Sequence, residues 1–528
     1  MKNIPQFISI ILILSSCNKF GDMNIDPTKS SNLDPAIEVA YCQQKFSGDM
    51  SVQEVTGLIL CMPLAQHFGG GWANQYGQFY QKQQAYMATL WQNSYTADVK
   101  NINDAVLRTS NTENKHLNAI ARVMKVYVFA RLTDLYGDLP YVEAATGGIT
   151  HPAYDKQEDI YHDFFLQLDT AVTQLTNGAD ILTNDIFYNG DINKWKKFAS
   201  SLRLRLAMRV SKRDEALAKD QISKAYTDGL MSSNDDICVT RHDNNFNTYA
   251  NYTGNALSSA IRQTGSPVNN GYRLHSSLIN QLRLTNDPRL FVFARNYWDN
   301  APGATFDNRV DITDQVRAQV GMVGVGPTAF IWEDWMNTIT IVHPVAGTIQ
   351  VGNNEQKVQL AAYMMENDAP FLHLTYAETE FLLAEATKRF SLNLGGTVEE
   401  HYKTGLRAAC QQLTLYKNAP VITEVSINQF IADNPLQTDK ELEQISTQLW
   451  VNFFLNGPEA YASLRRTGFP KLPSGYRPDG YSDSETMPRR LEYPQLEKAL
   501  NQANVEEAIK RYASGKDSWN DRMWWDVE

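Results

Sequence analysis

Apolar residues recur at three- and four-residue spacing through most of this chain, the mark of helices with one buried face. Asp34-Pro35 reads as an N-cap with proline at the first helical position, and helices are predicted over 36–46 and 52–68. A stripe of Trp91, Tyr95, Val99, Ile102 and Val106 predicts a helix over 87–108. Leu117, Ile120, Met124 and Tyr127 predict one over 114–136, ending at Gly137-Asp138-Leu139-Pro140. Ile160, Phe164, Leu168, Ala171 and Leu175 mark 155–175, and Trp195, Phe198, Leu202 and Leu206 mark 193–210. The pattern returns at 372–390 (Leu374, Ala377, Phe381, Ala384) and 398–415 (Tyr402, Leu406, Cys410, Leu413). A helix from 442, with Ile445, Leu449, Phe453 and Phe454, is stopped by Gly457-Pro458; a short run over 459–466 and a last helix near 505–512 follow.

Each of these helices carries a single apolar stripe that it cannot bury alone. Stacked helical hairpins bury such stripes, as in tetratricopeptide-type solenoids, although the repeat here is irregular and lacks that consensus. Between 232 and 369 the texture changes: Asn, Asp, Gly, Pro and Tyr are dense and helical periodicity mostly fails, apart from a helix over 276–284 and a strand or hairpin over 339–351. The predicted fold class is therefore mainly α, a tetratricopeptide-like helical-hairpin scaffold with a long irregular, partly β insertion. The expected divisions are a leader over 1–16, a tether over 17–33, scaffold over 34–231, insertion over 232–369 and scaffold again over 370–528.

The loop GGGWANQYGQFYQKQQ over 69–84 breaks the helical pattern with Trp72, Tyr76 and Tyr80 in no periodic context. Loops of this kind are where binding residues concentrate. The insertion adds Phe246, Tyr249, Tyr252, Tyr297, Trp298, Trp332 and Trp335, and the whole chain holds 25 Tyr, 22 Phe and 10 Trp. A formal charge of −11 argues against a nucleic-acid partner, which would need a basic face.

At the N-terminus Lys2 precedes FISIILIL over 7–14, an apolar run too short to span a bilayer. Leu14-Ser15-Ser16-Cys17 follows and looks like a lipobox, so the mature chain is expected to begin at a lipidated Cys17. Several acyl chains hold a soluble body on a membrane without a transmembrane helix. Cys42, Cys61, Cys238 and Cys410 show neither metal spacing nor a disulfide framework and read as small buried hydrophobes, with Cys42–Cys61 the one pair close enough in sequence to consider.

No phosphate-binding glycine loop, H-E-x-x-H or G-x-S-x-G is present, and Lys403-Thr404-Gly405 lies inside a helix without the partners a penicillin-recognising motif needs. No catalytic residue, metal site or cofactor is expected. Asp479 and Asp483 are loop acids of a kind that can ligate calcium, but such acids are commonly just solvated. What remains suits glycans: sugar C–H faces pack on Trp and Tyr, and hydroxyls need Asn, Asp, Arg and Gln partners, though peptides can use the same groups.

Several ordered blocks carry a more specific likeness. They are Phe20-Gly21-Asp22-Met23-Asn24 to Asp26-Pro27, RLTDLYGDLP over 131–140, Asn286-Asp287-Pro288-Arg289-Leu290, and Tyr376-Ala377-Glu378 through Leu382-Leu383-Ala384-Glu385-Ala386. Trp450, Asn456-Gly457, Glu459-Ala460 and Arg465-Arg466-Thr467-Gly468-Phe469-Pro470 follow, then Met487-Pro488-Arg489-Arg490-Leu491, Tyr493-Pro494 and Trp524-Trp525. In this order, over nearly the whole chain, they resemble the SusD/RagB-like outer-membrane lipoproteins. The resemblance implies a lipid-anchored, non-enzymatic protein at the cell surface. Such a protein captures an oligosaccharide, or in some branches a peptide, and delivers it as a lid to a SusC-like TonB-dependent transporter. The run Asn18-Lys19-Phe20-Gly21-Asp22 is less acidic than the family's usual export signal, so surface exposure rests on the resemblance.

The expected ligand-binding residues are Trp72, Asn74 and Tyr76 from the early loop and, by position within the family, Trp298, Trp332 and Trp335. Trp91, Trp195 and Trp450 sit on helix stripes and read as core. Outside this class stand a lipid-anchored glycoside hydrolase, which needs two carboxylates flanking the aromatic cleft, and a scaffold protein with no small-molecule cleft.

Overall fold

The computed structural model describes residues 33–249, 251–262, 271–299 and 309–528. The expected lipidation site Cys17, the leader and nearly all of the tether lie outside the described residues.

The helices pair into hairpins, two of them between predicted helices and one completed by a helix the periodicity does not show. Lys115–Tyr136 packs on Gln157–Gln174, Ile192–Arg209 on Glu215–Asp228, and Tyr376–Phe390 on Val398–Gln411. Asp34 caps Pro35–Gly48 by accepting the Ala36 N–H at 2.9 Å, as the Asp-Pro pair predicts. The 87–108 prediction resolves into Gln84–Asn93 and Val99–Thr109, joined by a π-helical stretch over Ser94–Asp98. Likewise Val52–Cys61 is π-helical, leading into Met62–Leu64. Glu215–Asp228 and Glu424–Asp433 have no counterpart in the sequence reading, because their buried stripes are thin: Ala218, Gln221, Ile222 and Ala225 in one, Ile427 and Phe430 in the other.

Trp195 and Trp450 are fully buried and Trp91 nearly so, each on the stripe expected of it. Their indole donors are matched where the core needs it, Trp195 Nε1 to Asp185 at 2.7 Å and Trp450 Nε1 to the Ala65 carbonyl at 2.9 Å. Cys42, Cys61, Cys238 and Cys410 are buried free thiols, and burial pushes the Cys61 thiol up to about 12.

The insertion leaves and rejoins the scaffold at one place, where Cys238–Thr240 pairs antiparallel with Phe371–Leu374. Phe68–Gly69 pairs with Arg273–Leu274 and ties the early loop to the insertion. The predicted hairpin is Ile339–His343 with Gly347–Val351, in register at Ile341↔Ile349. The insertion buries most of its apolar residues against the scaffold rather than among themselves. Leu274, Leu278, Phe293 and Leu360 share one cluster with Met50, Leu58, Met62, Trp450 and Phe454 of the scaffold helices and their ends. A smaller cluster, Ile312, Val316, Ile341, Ile349 and Val351, lies under the hairpin. No helix among the described residues is long and apolar enough to cross a membrane.

Candidate functional site

The early loop is built by its glutamines and glycines. Gly70 turns with φ +85°, a conformation that favours glycine. Its N–H donates to Gln78 Oε1 at 2.8 Å, and Gln78 Nε2 donates in turn to the carbonyls of Gly326 at 2.9 Å and Ala329 at 3.2 Å. The Gly70 carbonyl accepts the Ile331 N–H at 3.0 Å. One buried amide side chain thus sews the 69–80 loop to the 326–335 turn of the insertion, some 250 residues later in sequence.

This seam brings Trp72 and Trp332 to the same ring. Trp72 lies nearly parallel to Phe330 at 5.7 Å and 16°, and Trp332 lies nearly parallel to it at 4.5 Å and 8°. Phe330 itself is fully buried, whereas Trp72 is 60% and Trp332 48% exposed. Phe79 and Tyr481 meet Phe330 edge-on at 4.9 and 5.3 Å. The result is two indoles braced from beneath and open to water, a geometry suited to the apolar face of a sugar ring.

A second loop locks the turn. Arg477 donates from Nη1 to Glu333 Oε2 at 2.6 Å and from Nε to Asp479 Oδ1 at 3.1 Å. Its guanidinium also lies 4.7–5.5 Å from the centres of the Phe79, Phe330 and Tyr481 rings. The hydrogen bond to Asp479 outweighs partial burial, Glu333 adds to it, and the Arg477 pKa rises further above its ordinary value. The same contact holds the Asp479 carboxyl below its usual range. Glu333 Oε2 also accepts the Phe330 N–H at 3.0 Å, so the ion pair fixes the backbone that carries the stacking ring. Gly475 packs so closely on the early loop that a Cβ there would come within 1.9 Å of the Gln78 carbonyl oxygen. Asp334 pairs with Lys357 at 3.0 Å.

The other predicted site residues go elsewhere. Asn74 is fully buried: its Nδ2 donates to the Leu58 carbonyl at 3.0 Å and its Oδ1 accepts the Gly71 N–H at 3.1 Å, so it shapes the loop and has no free group for a ligand. Tyr76 packs against the scaffold core and edge-on to Tyr86 at 5.1 Å. Trp298 packs on the cluster beneath the hairpin. Both side chains are partly buried in these contacts. Trp335, three residues past Trp332, is 74% exposed. Asp479 is committed to Arg477, Asp483 accepts the Lys82 N–H at 2.7 Å, and among the described residues no group of three or more His, Cys, Asp or Glu could hold a metal ion.

Phe330, Gln78 and Arg477 were not legible as site residues. Phe330 is a lone apolar residue in an irregular stretch, and Arg477 lies in a Pro-, Gly- and Tyr-rich loop some 145 residues from its partner Glu333. The one local signal was Tyr481 in that same loop.

Comparison with known proteins matches the same architecture. Residues 61–494 match the SusD-like family described as starch-binding and associating with the outer membrane. A solved chitin-binding protein is 36% identical, with a TM-score of 0.80, covering 94% of this chain and 100% of its own. A Bacteroidetes SusD-like structure is 31% identical, with a TM-score of 0.87 and the same coverage. A SusD homologue from Bacteroides uniformis, at 23% identity and a TM-score of 0.74, shares the fold over 94% of this chain and all of its own. No curated protein sequence matches the chain. The stacked helical hairpins, the insertion mounted on them and the match over most of the sequence lead to one conclusion: the chain belongs to the SusD-like family.

Proposed function

We propose that this protein captures oligosaccharides on the exposed indoles of Trp72 and Trp332, with Trp335 as a further contact. The observation that carries this reading is the pair of open indoles stacked on one buried ring, Phe330. Indoles this exposed leave a large apolar area in water, and apolar patches rimmed by polar groups are a common mark of binding sites. A binder that does no chemistry is supported by the turns around them. Glu333 and Asp479 are held by Arg477 and Asp334 by Lys357, so each acid beside the indoles is engaged in an ion pair rather than set opposite a second free carboxyl, as glycoside hydrolysis requires. The chain delivers its ligand to a SusC-like TonB-dependent transporter, over which it acts as a lid, and is anchored in the outer membrane through lipid on Cys17; family membership supports these three roles. The solved chitin-binding relative makes N-acetylglucosamine oligomers the first ligands to try.

The test is calorimetric titration of the chain begun after Cys17 with neutral oligosaccharides, chitin hexaose first, and with oligopeptides, followed by product analysis. The expected result is saturable binding of an oligosaccharide that is recovered intact, weakened about tenfold or more by Trp72→Ala or Trp332→Ala, in line with about 1–2 kcal/mol for an aromatic contact. Cleavage of the ligand would refute the non-enzymatic reading. Binding of peptides alone would refute the glycan reading.

A further inference from the structure

The charges beside the two indoles are arranged in a way that discriminates between glycans. Arg477 commits its Nε, Nη1 and Nη2 to Glu333 and Asp479, and its side chain is only 12% exposed. Three aromatic rings surround the guanidinium. It cannot turn toward an anionic ligand without giving up both carboxylates. The carboxylates themselves face water: the Glu333 side chain is 37% and the Asp479 side chain 47% exposed. Asp334 and Lys357 form a neutral pair, with the lysine side chain 1% exposed and the aspartate 35%. The set Glu333, Asp479 and Arg477 therefore carries a net charge of −1, and the charge it turns outward beside Trp332 is negative. At physiological salt the screening length is about 8 Å, enough for a neighbouring sugar carboxylate to feel it. Rejecting the wrong ligand by like charge is a recognised route to specificity.

Resting on the proposed glycan site, we infer that Arg477 is the positioning residue that assembles it, and that its two carboxylate partners make it a site for neutral or amino-bearing glycans that excludes uronate and sulfated ones. Arg477 does not touch the sugar. It holds Glu333, and through the Glu333–Phe330 bond it holds the ring on which both indoles rest.

An array of hexasaccharides (neutral, N-acetylated, amino-bearing, uronate and sulfated) read at low and at high salt tests this. Wild-type protein is expected to bind neutral or amino-bearing members through Trp72 and Trp332 and to bind their uronate counterparts at least tenfold more weakly at low salt, the gap narrowing as salt rises. Arg477→Gln and Arg477→Lys should both weaken the neutral ligand about tenfold, because a lysine keeps the charge but not the two-pronged geometry. The pair Glu333→Gln with Asp479→Asn removes both negative charges and leaves Arg477 charged, so the ratio of uronate to neutral affinity should rise at least tenfold, whatever the absolute affinities. Neutral binding that survives Arg477→Gln unchanged, or a ratio that does not move in the double variant, overturns this inference while leaving the glycan site standing. A uronate or sulfated glycan bound as tightly as its neutral counterpart and weakened by Trp72→Ala also overturns it. Binding indifferent to both Trp72→Ala and Trp332→Ala overturns the site itself.

Discussion

At the scale of single residues, exposure separates the tryptophans open to solvent from those packed against the body. Trp72, Trp332 and Trp335 stand in water, while Trp298 is packed under a hairpin, and nothing in the local sequence distinguishes them. Trp72 was legible because its loop broke the helical pattern without offering a buried face. Asn74, two residues on, was misjudged for the same reason: a polar residue in a loop reads as free until its partners, here the Leu58 carbonyl and the Gly71 N–H, are seen. Gln78 was not legible at all, since its acceptors lie some 250 residues away. Gln78→Leu should leave the Gly70 N–H and the 326–329 carbonyls without their buried partner, costing about 1–3 kcal/mol. Thermal unfolding should show that loss, and glycan affinity should fall as well, because the seam that aligns Trp72 with Trp332 is gone. A stable variant with unchanged affinity would show that the seam is dispensable.

At the scale of elements, the blocks that resemble the family are largely buried charge tethers between helices. Glu459 on Gly457–Thr467 receives Arg209 at 2.6 Å from Ile192–Arg209, and Arg205 meets Glu378 of Tyr376–Phe390 at 2.5 and 2.7 Å. Arg466 grips Glu385 at 2.6 and 2.7 Å, and Arg465 donates to the Asp134 carbonyl at 2.8 Å. Most of these contacts join a side chain of one helix to a partner in another, so no single block holds its tether alone. Burial alone would raise the Glu385 carboxyl, but Arg466 and Arg389 outweigh it and hold it at about 2. Glu385→Ala strands Arg466 in the core and should cost about 3–5 kcal/mol, read by chemical denaturation. A loss below 1 kcal/mol would mean that Arg466 finds water instead. The two-residue strands and the helices Glu215–Asp228 and Glu424–Asp433 were among the illegible elements, the helices for want of a wide apolar stripe.

At the scale of the whole molecule, the scaffold's second apolar cluster is completed by residues of the insertion, which also keeps a small cluster of its own. Four of the buried histidines are held neutral by their surroundings. Burial lowers His67 and His275 to about 3 and His242 to about 4, and pushes His373 well below its ordinary value. The unfolded chain takes up a proton on each near pH 6.5 while the folded chain does not, so the unfolded state binds more protons and stability falls as the pH drops from about 6.5 toward 3. Each histidine can contribute up to about 1.4 kcal/mol per pH unit across that window. Denaturation midpoints at pH 7.5, 6 and 5 should fall steadily, and His275→Gln should flatten the fall. A His275→Gln variant whose midpoint keeps the wild-type dependence on pH would contradict the burial of that ring.

The central claim is that the indoles of Trp72 and Trp332, braced by Phe330, hold the sugar. The most direct test is a crystal structure of the protein grown with the tightest-binding neutral oligosaccharide from the titration. Pyranose rings should lie against the open faces of Trp72 and Trp332, with the Arg477–Glu333 pair intact beneath them. An ordered glycan bound elsewhere, with both indoles bare, would contradict it.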